Sequence, residues 1–419
     1  MRIQRCKGTR DLSPEEMVRF RLIEEVFQKC CLNWGYREVK TPTIEYLHLF
    51  TSAGTLTPSM LGKVYSFLDW DGWSGERVVL RPDGTIPIAR LYIDTAGKED
   101  LSRLFYVTNT FIFEETGRRM RERWQCGTEL IGVGSPRADA ELISLALEVL
   151  EKLKLGGVKL RLSHAGLIQA LLVKLGLSPE EQSRIFDQIL DGNGEVLARI
   201  KSEKPELENI LFPLLSLKGR SSGFLKNLKA LSVQNLPEIG PCLDNLIDIV
   251  DVLEALGDKY QIDIASGAGF EYYTGVIFQF FIGQEKIGGG GRYDALIPAM
   301  SGGNVPASGF ALYIDRLMNS IKPETLVGPP TPRILVTAEQ KMLKEAFDTA
   351  HLLRESGYVV EIGLGDREPP GLRWTLDIRS QAPGFILWDK ARCAKIEVRS
   401  IEEVITCLED RNARKDSLA

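Results

Sequence analysis

Four arginines, Arg118, Arg119, Arg121 and Arg123, crowd a short polar stretch between two β-rich runs, Leu104–Phe113 and Gln125–Ile131. A guanidinium is a planar fork that pairs a phosphate or carboxylate through two parallel N–H bonds. The same cluster is equally a solvated turn with surface charge. The returning run carries Gln125 and Glu129, two polar groups among apolar neighbours. Asp83 and Thr85, in the segment RPDGT, offer oxygens suited to an ammonium group. Turn chemistry accounts for Pro82 and Gly84 with no ligand at all. Tyr272, Tyr273 and Tyr293 are flat side chains with a polar tip, able to wall a pocket or simply to pack. Gly288–Gly291 precedes Arg292. A run of glycines permits close approach of a ligand or of another backbone, and it matches neither GxGxxG nor the P-loop pattern. Arg316 reads as a cation at a site or as a helix-surface charge.

The elements that must position these groups follow from pattern. Leu104–Gly132 reads as a hairpin, two strands joined by the arginine loop. Ser13-Pro14-Glu15-Glu16 is a capping box with proline at the first helical position. Val18, Leu22, Ile23, Val26, Phe27 and Cys30 then recur at helical spacing, and Gly35-Tyr36 ends the helix. Arg37–Ile44 reads as an edge strand interrupted at Pro42. Val78–Arg90 reads as strand, Pro-Asp-Gly turn and helix start. Ser135 begins another capped helix, and Val158–Leu162 is a strand. Residues 165–256 read as a helical insertion broken at Asp191–Gly194 and Gly219–Gly223. Strands resume at Gln261. Val305–Leu317 reads as strand followed by helix. The proline-rich segment 326–332 marks a linker between a core, 1–325, and a small α/β domain, 333–410.

Composition bounds the function. At 419 residues, two or three domains are expected. The net charge of -5 argues against a protein whose main task is gripping nucleic acid. Seven cysteines with no CxxC read as reduced, structural thiols in a cytoplasmic protein with no metal site. The charged N-terminus lacks the apolar core of a signal peptide. No run approaches the ~20 apolar residues of a membrane span.

The hairpin resembles motif 2 of the class II aminoacyl-tRNA synthetases, specifically that of histidyl-tRNA synthetase. KGTRDLSP at Lys7–Pro14 resembles the family's N-terminal signature. GFEYYT at Gly269–Thr274, followed by GGGGRYD at Gly288–Asp294, resembles its histidine-pocket strands. GFALYIDRL at Gly309–Leu317 resembles motif 3, and Arg37–Ile44 resembles motif 1. The resemblance implies an α/β fold: an α+β core on an antiparallel sheet, a helical insertion, and an anticodon-binding-like C-terminal domain. That domain looks degenerate, because DREPPGLRWTLD at Asp366–Asp377 stands where the family has a lysine-rich helix. The resemblance also implies a homodimer built on motif 1. It assigns the histidine pocket to Asp83, Thr85, Gln125, Glu129, Tyr272, Tyr273 and Tyr293. It leaves Arg316 and Arg121 as remnants of an ATP site.

The chain departs from the family where its chemistry resides. Aligning FIFEE with the family's FRHER puts Ile112 in place of the motif 2 arginine. Aligning AGFEYY with RGLDYY puts Ala268 in place of the catalytic arginine. Removing one such preorganised charge donor costs roughly a hundredfold in rate. Keeping the pocket while losing both cations resembles the synthetase-like regulatory subunits of short-form ATP phosphoribosyltransferase. That resemblance implies no catalytic residues, no cofactor, histidine as an allosteric ligand, and a catalytic phosphoribosyltransferase partner in a hetero-octamer acting in the first step of histidine biosynthesis. It makes tRNA binding an unlikely role. The alternative is an active histidine–tRNA ligase, supported by domain order and Arg316.

Overall fold

The first helix shows how the core is built. Ser13 accepts a hydrogen bond from the Glu16 amide while the Glu16 carboxylate returns one from the Ser13 amide, and Pro14 opens the helix Pro14–Asn33. The helix buries Phe20, Ile23, Phe27, Cys30 and Cys31. Phe27 meets Phe105 and Phe310 edge-on, at centroid distances of 5.9 and 6.5 Å, and Phe20 meets Trp124 at 5.2 Å. Each buried aromatic contributes about 1.5–3 kcal/mol by area alone. The helix gives way at Trp34, and Gly35 follows with φ +79°.

The computed structural model describes residues 4–53, 61–69, 75–95, 101–113, 120–174, 178, 181, 218–232, 237–264, 273–322, 333–365 and 372–416. Ala268, Tyr272, Arg118, Arg119 and the expected linker, 326–332, lie outside these residues. The chain forms two compact units, Met1–Leu326 and Val327–Ala419.

In the first unit the strands are β1 (Arg37–Glu38), β2 (Ile44–Tyr46), β3 (Ser66–Leu68), β4 (Arg77–Leu80), β5 (Ser102–Phe111), β6 (Glu122–Ile131), β7 (Val158–His164), β8 (Lys218–Gly219), β9 (Tyr260–Asp263), β10 (Val276–Ile282), β11 (Glu285–Arg292) and β12 (Ala307–Tyr313). A nine-stranded sheet runs β1-β5-β6-β12-β11-β10-β7-β9-β8, and β2-β4-β3 form a separate small sheet. The large sheet is antiparallel except where β1 meets β5 and β7 meets β9.

Register gives the large sheet two different faces. Phe105, Thr128, Phe310, Gly290, Phe278 and Leu162 align across five strand pairs. Their neighbours Cys126, Leu312, Phe280 and Leu160 share that face, and all of these aromatic and aliphatic side chains are buried in one core. Side chains on a strand alternate, so the intervening residues point the other way. They are Tyr106, Thr108, Gln125, Gly127, Glu129, Gly309, Ala311, Gly289 and Gly291, a polar, small-residue face. A strand shift of one residue would exchange the two sets.

Helices Pro14–Asn33 and Pro136–Lys152 pack on strands of the sheet and bury their apolar sides in this core, and Gly240–Leu256 packs against the second of them. The described helices of the expected insertion are therefore not a layer apart. Leu167 and Ile168 of helix Ala165–Lys174, and Leu243, Leu246, Ile249, Val250 and Leu253 of Gly240–Leu256, belong to the main core. Their amphipathic pattern reports one buried face, whatever that face packs on.

The second unit holds a five-stranded sheet, β14-β13-β15-β16-β17, from β13 (Arg333–Ala338), β14 (Val359–Ile362), β15 (Trp374–Ile378), β16 (Phe385–Asp389) and β17 (Ala394–Val398). Helix Leu343–Glu355 buries Ala346, Ala350 and Leu353 against Ile334, Val336 and Trp374. The segment expected to stand for a degenerate helix holds β15 instead, paired on both sides and burying Trp374 and Leu376. Helix Ile401–Asp416 runs past residue 410, the expected end of the domain.

Candidate functional site

The polar face of the sheet carries a closed hydrogen-bonded cluster. Glu129 lies on β6, paired across to Leu104 on β5 and Gly309 on β12. The Tyr106 hydroxyl, from β5, donates to Glu129 Oε1 at 3.2 Å. The Tyr293 hydroxyl, just beyond β11, donates to Glu129 Oε2, and the Thr85 hydroxyl bonds the same carboxyl. Gln125 Nε2 donates to the Tyr106 hydroxyl at 3.4 Å. Asp83 caps helix Thr85–Thr95, its Oδ1 accepting the Ile86 amide at 2.9 Å. Two glycines allow these side chains to lie against the backbone. A Cβ at Gly309 would sit 1.9 Å from Glu129 Oε2, and one at Gly127 would sit 2.5 Å from the Tyr106 ring.

Both acids are buried, Asp83 at 8% exposure and Glu129 at 1%. Burial pushes Glu129 up to about 8, against the pull of its Tyr293, Thr85 and Tyr106 hydrogen bonds, and the nearby Asp83 charge adds to the rise. Burial likewise lifts Asp83 to about 6, resisted by the amides of Ile86, Thr85 and Gly84. Tyr106 and Tyr273 are held well above the usual phenol range by burial, then by the neighbouring acids and, for Tyr273, by Tyr313. Among the described residues no basic side chain is hydrogen-bonded or ion-paired to Asp83 or Glu129. Two buried carboxyls without a cation are unfavourable unless protonated or joined by a positive ligand group. The arrangement suits a small ligand that carries an ammonium and a flat polar ring.

Six of the seven expected pocket residues are described, and the structure brings Asp83, Thr85, Gln125, Glu129, Tyr273 and Tyr293 together. Tyr273 enters from the approach to β10, its ring lying 2.8 Å from where a Cβ on Gly291 would stand. Of the glycine run, Gly289 and Gly291 share the polar face, whereas Gly288 and Gly290 back onto Leu312 and Phe310 in the core. Only half of it borders the site. Tyr106 and Tyr313 were missed. Tyr106 hides in the apolar-looking run LFYVTNTF, and the alternation of that strand was the signal that could have found it. Tyr313 pairs in register with Gln125 and feels the charges of Asp83, Arg316 and Arg123.

Arg316, Arg121, Arg10 and Arg81 have partners other than the two acids. The Arg316 guanidinium donates to the Lys286 carbonyl and lies over the Tyr313 ring at 5.4 Å. Arg121 lies over Phe113 at 4.8 Å, and its amide donates to Gly8 O at 2.7 Å. Arg10 pairs with Asp315 at 2.7 Å, and Asp315 also accepts the Trp124 amide. The N-terminal signature is thus pinned to both the hairpin loop and the helix after β12. Arg81 donates to the carbonyls of Thr41, Pro42 and Asn109, fixing the strand that resembles motif 1. Ile112 follows the last residue of β5 as a half-buried apolar group whose amide donates to Arg121 O at 2.9 Å. Among the described residues no cluster of three metal-ligating side chains occurs, and no helix is long and apolar enough to cross a membrane. All seven cysteines are free.

The family profile described as histidyl-tRNA synthetase matches residues 8–317. A Dehalococcoides mccartyi protein, the ATP phosphoribosyltransferase regulatory subunit, is 51% identical over 406 residues, 97% of this chain and 98% of that one. The histidine–tRNA ligase of Methanocaldococcus jannaschii is 33% identical over 382 residues, 89% of this chain and 88% of that one. Two solved structures share the fold. A Bacillus halodurans protein described as an ATP phosphoribosyltransferase regulatory subunit/histidyl-tRNA synthetase superposes with a TM-score of 0.77 at 24% identity, covering 91% of this chain and 100% of that one. Histidyl-tRNA synthetase from Nostoc sp. PCC 7120 superposes with a TM-score of 0.77 at 19% identity, covering 98% and 100%. A match that spans both chains end to end, and includes half of all residues, means that the chain belongs to the ATP phosphoribosyltransferase regulatory subunit family, built on the histidyl-tRNA synthetase core.

Proposed function

We propose that the chain is the non-catalytic regulatory subunit of an ATP phosphoribosyltransferase and that histidine is its ligand. The observation that carries this reading is the buried Asp83–Glu129 pair, ringed by hydroxyls and amides, in a chain whose motif 2 cation is replaced by Ile112. The pocket retains what binds an amino acid and lacks what activates one. Histidine activation needs positive charge on the α-phosphate as the mixed anhydride forms. An isoleucine side chain supplies none, and Ala268 supplies none at the second position. The 51% identity to a named regulatory subunit over nearly the whole chain supports the same role.

The partner is a catalytic phosphoribosyltransferase chain, and the assembly is a hetero-octamer in the cytoplasm. The core forms a homodimer. An exposed apolar row supports that reading: Ile44 and Tyr46 on β2 share a face of the small sheet with Phe67 on β3. Histidine regulates by binding two states of the assembly unequally, since equal binding shifts nothing. The alternative, a histidine–tRNA ligase, draws on the 33% identity to the Methanocaldococcus jannaschii enzyme. The test combines two assays. The purified chain is expected to give no histidine-dependent exchange of pyrophosphate into ATP. It is expected to co-purify with the catalytic chain and raise its synthesis of phosphoribosyl-ATP. Exchange at ordinary synthetase rates, or a catalytic chain indifferent to this one, overturns the proposal.

A further inference from the structure

The two buried acids of the site have different kinds of partner. Asp83 faces the backbone amides of Gly84, Thr85 and Ile86. An amide N–H only donates, so this cradle favours an ionised carboxylate. Glu129 faces the hydroxyls of Tyr106 from β5, Tyr293 from beyond β11 and Thr85 from the helix start. A hydroxyl donates or accepts, so this cradle satisfies the acid in either protonation state. Tyr273, from the approach to β10, also feels both acids. Tyr313, on β12, feels Asp83 together with Arg316 and Arg123. Gln125 completes the ring as a neutral amide, bonded to Tyr106 rather than to an acid. The acids feel each other's charge, and no basic side chain among the described residues bonds either one. A single proton in this cluster therefore resides on Glu129.

We propose that histidine docks its imidazole on Glu129 through one shared proton that the carboxyl carries before the ligand arrives, while Asp83 enters ionised and takes the ammonium. This rests on the histidine-binding reading above. A neutral imidazole has one acceptor nitrogen, and a protonated carboxyl is the donor that matches it. The complex then forms near neutral pH with no net proton gained or lost. Well below the Asp83 value of about 6, Asp83 and the free imidazole each bear a proton that the complex does not keep, and binding must release two. Above the Glu129 value of about 8, the carboxyl has lost its proton, and binding must recover one. Affinity is bell-shaped, falling about tenfold per pH unit for each proton exchanged, so the acid limb becomes steeper than the alkaline one.

The test is titration calorimetry of the full chain with L-histidine, in pairs of buffers that differ in ionisation heat. Near pH 7 the expected net proton exchange is close to zero. Release approaching one proton would mean that Glu129 ionises against a neutral imidazole, and would overturn the proposal. So would an affinity that climbs steadily through pH 8. Glu129→Gln should weaken binding and remove the carboxyl's share of the alkaline limb, leaving only the ligand's own amine titration. If that variant fails to fold, the wild-type proton count still decides. Absence of histidine binding at every pH refutes the ligand assignment itself, an outcome distinct from binding with the wrong proton count.

Discussion

Replacing Gly309 by alanine tests whether the sheet backbone sets the position of Glu129. The added Cβ would stand 1.9 Å from Glu129 Oε2, 2.9 Å from Glu129 Cδ and 2.5 Å from the Thr128 carbonyl oxygen. Real Cβ contacts stay beyond 3.0 Å, so the carboxyl must withdraw by at least 1.1 Å (3.0 − 1.9). The side chain alone cannot relieve the strain, because the Thr128 carbonyl is part of the β6–β12 ladder and must shift with its strand. Overpacking of this kind costs about 1–3 kcal/mol of stability. The displaced carboxyl also leaves its Tyr106, Tyr293 and Thr85 partners. Histidine affinity should fall by about tenfold or more, which is about 1.4 kcal/mol. Urea denaturation and histidine calorimetry measure the two effects separately. Gly62→Ala is the control: its Cβ would meet nothing within 4 Å, and stability should stay within about 0.5 kcal/mol of wild type. A Gly309→Ala protein with wild-type stability and histidine affinity would refute the placement of Glu129 against this strand.

Arg292→Ala should destabilise by about 3–5 kcal/mol in denaturant titrations, because it leaves the buried Asp139 without its 2.8 Å partner, and Asp139→Asn in the same background should recover part of the loss. Ser13→Ala removes the capping box and should cost about 1 kcal/mol, measured the same way. Glu129, Asp83 and Asp139 are all lifted by burial, so the folded state holds protons that the unfolded chain has lost. Their contribution to stability is present below the ordinary carboxylate range and is lost as pH rises through about 6 and about 8. Thermal melts of the ligand-free chain should therefore show a higher midpoint at pH 5.5 than at pH 8.5, and Glu129→Gln should narrow the gap. Ala268→Arg alone should not produce pyrophosphate exchange, since Ile112 still offers no charge to the α-phosphate.

Much of the site was legible because its chemistry sits in unusual words of sequence. RPDGT, the arginine-rich hairpin and GGGGRYD resemble family motifs, and that resemblance is what singled out Asp83, Thr85, Gln125, Glu129 and Tyr293. Ser13, Pro14 and Glu16 announce their helix by cap chemistry, which is local. Tyr106 was not legible in the same way. It lies in a run where apolar and polar side chains alternate, and only the pairing of β5 with β6 shows that its hydroxyl faces Glu129. Thr128 shows the converse. It neighbours Glu129 in sequence yet points into the core beside Phe105 and Phe310, because strand side chains alternate. Residues 165–256 read as helical, but a helical pattern does not name the surface a helix covers, and the described helices Ala165–Lys174, Ser222–Ser232 and Gly240–Leu256 all contribute to the main core. The segment DREPPGLRWTLD was compared with the family's helix, and the strand that begins at Trp374 became visible only from its pairing with β13 and β16.

The most direct test of the account is a histidine titration of phosphoribosyl-ATP synthesis by the mixed catalytic and regulatory chains, comparing wild type with Glu129→Ala. The account predicts that the wild-type mixture is active and inhibited by histidine. It predicts that the Glu129→Ala mixture remains active, because the substitution removes a ligand contact rather than a catalytic group, and needs at least about tenfold more histidine for the same inhibition. An active Glu129→Ala mixture with unchanged histidine sensitivity would contradict the account, since histidine would then act at a surface other than this pocket.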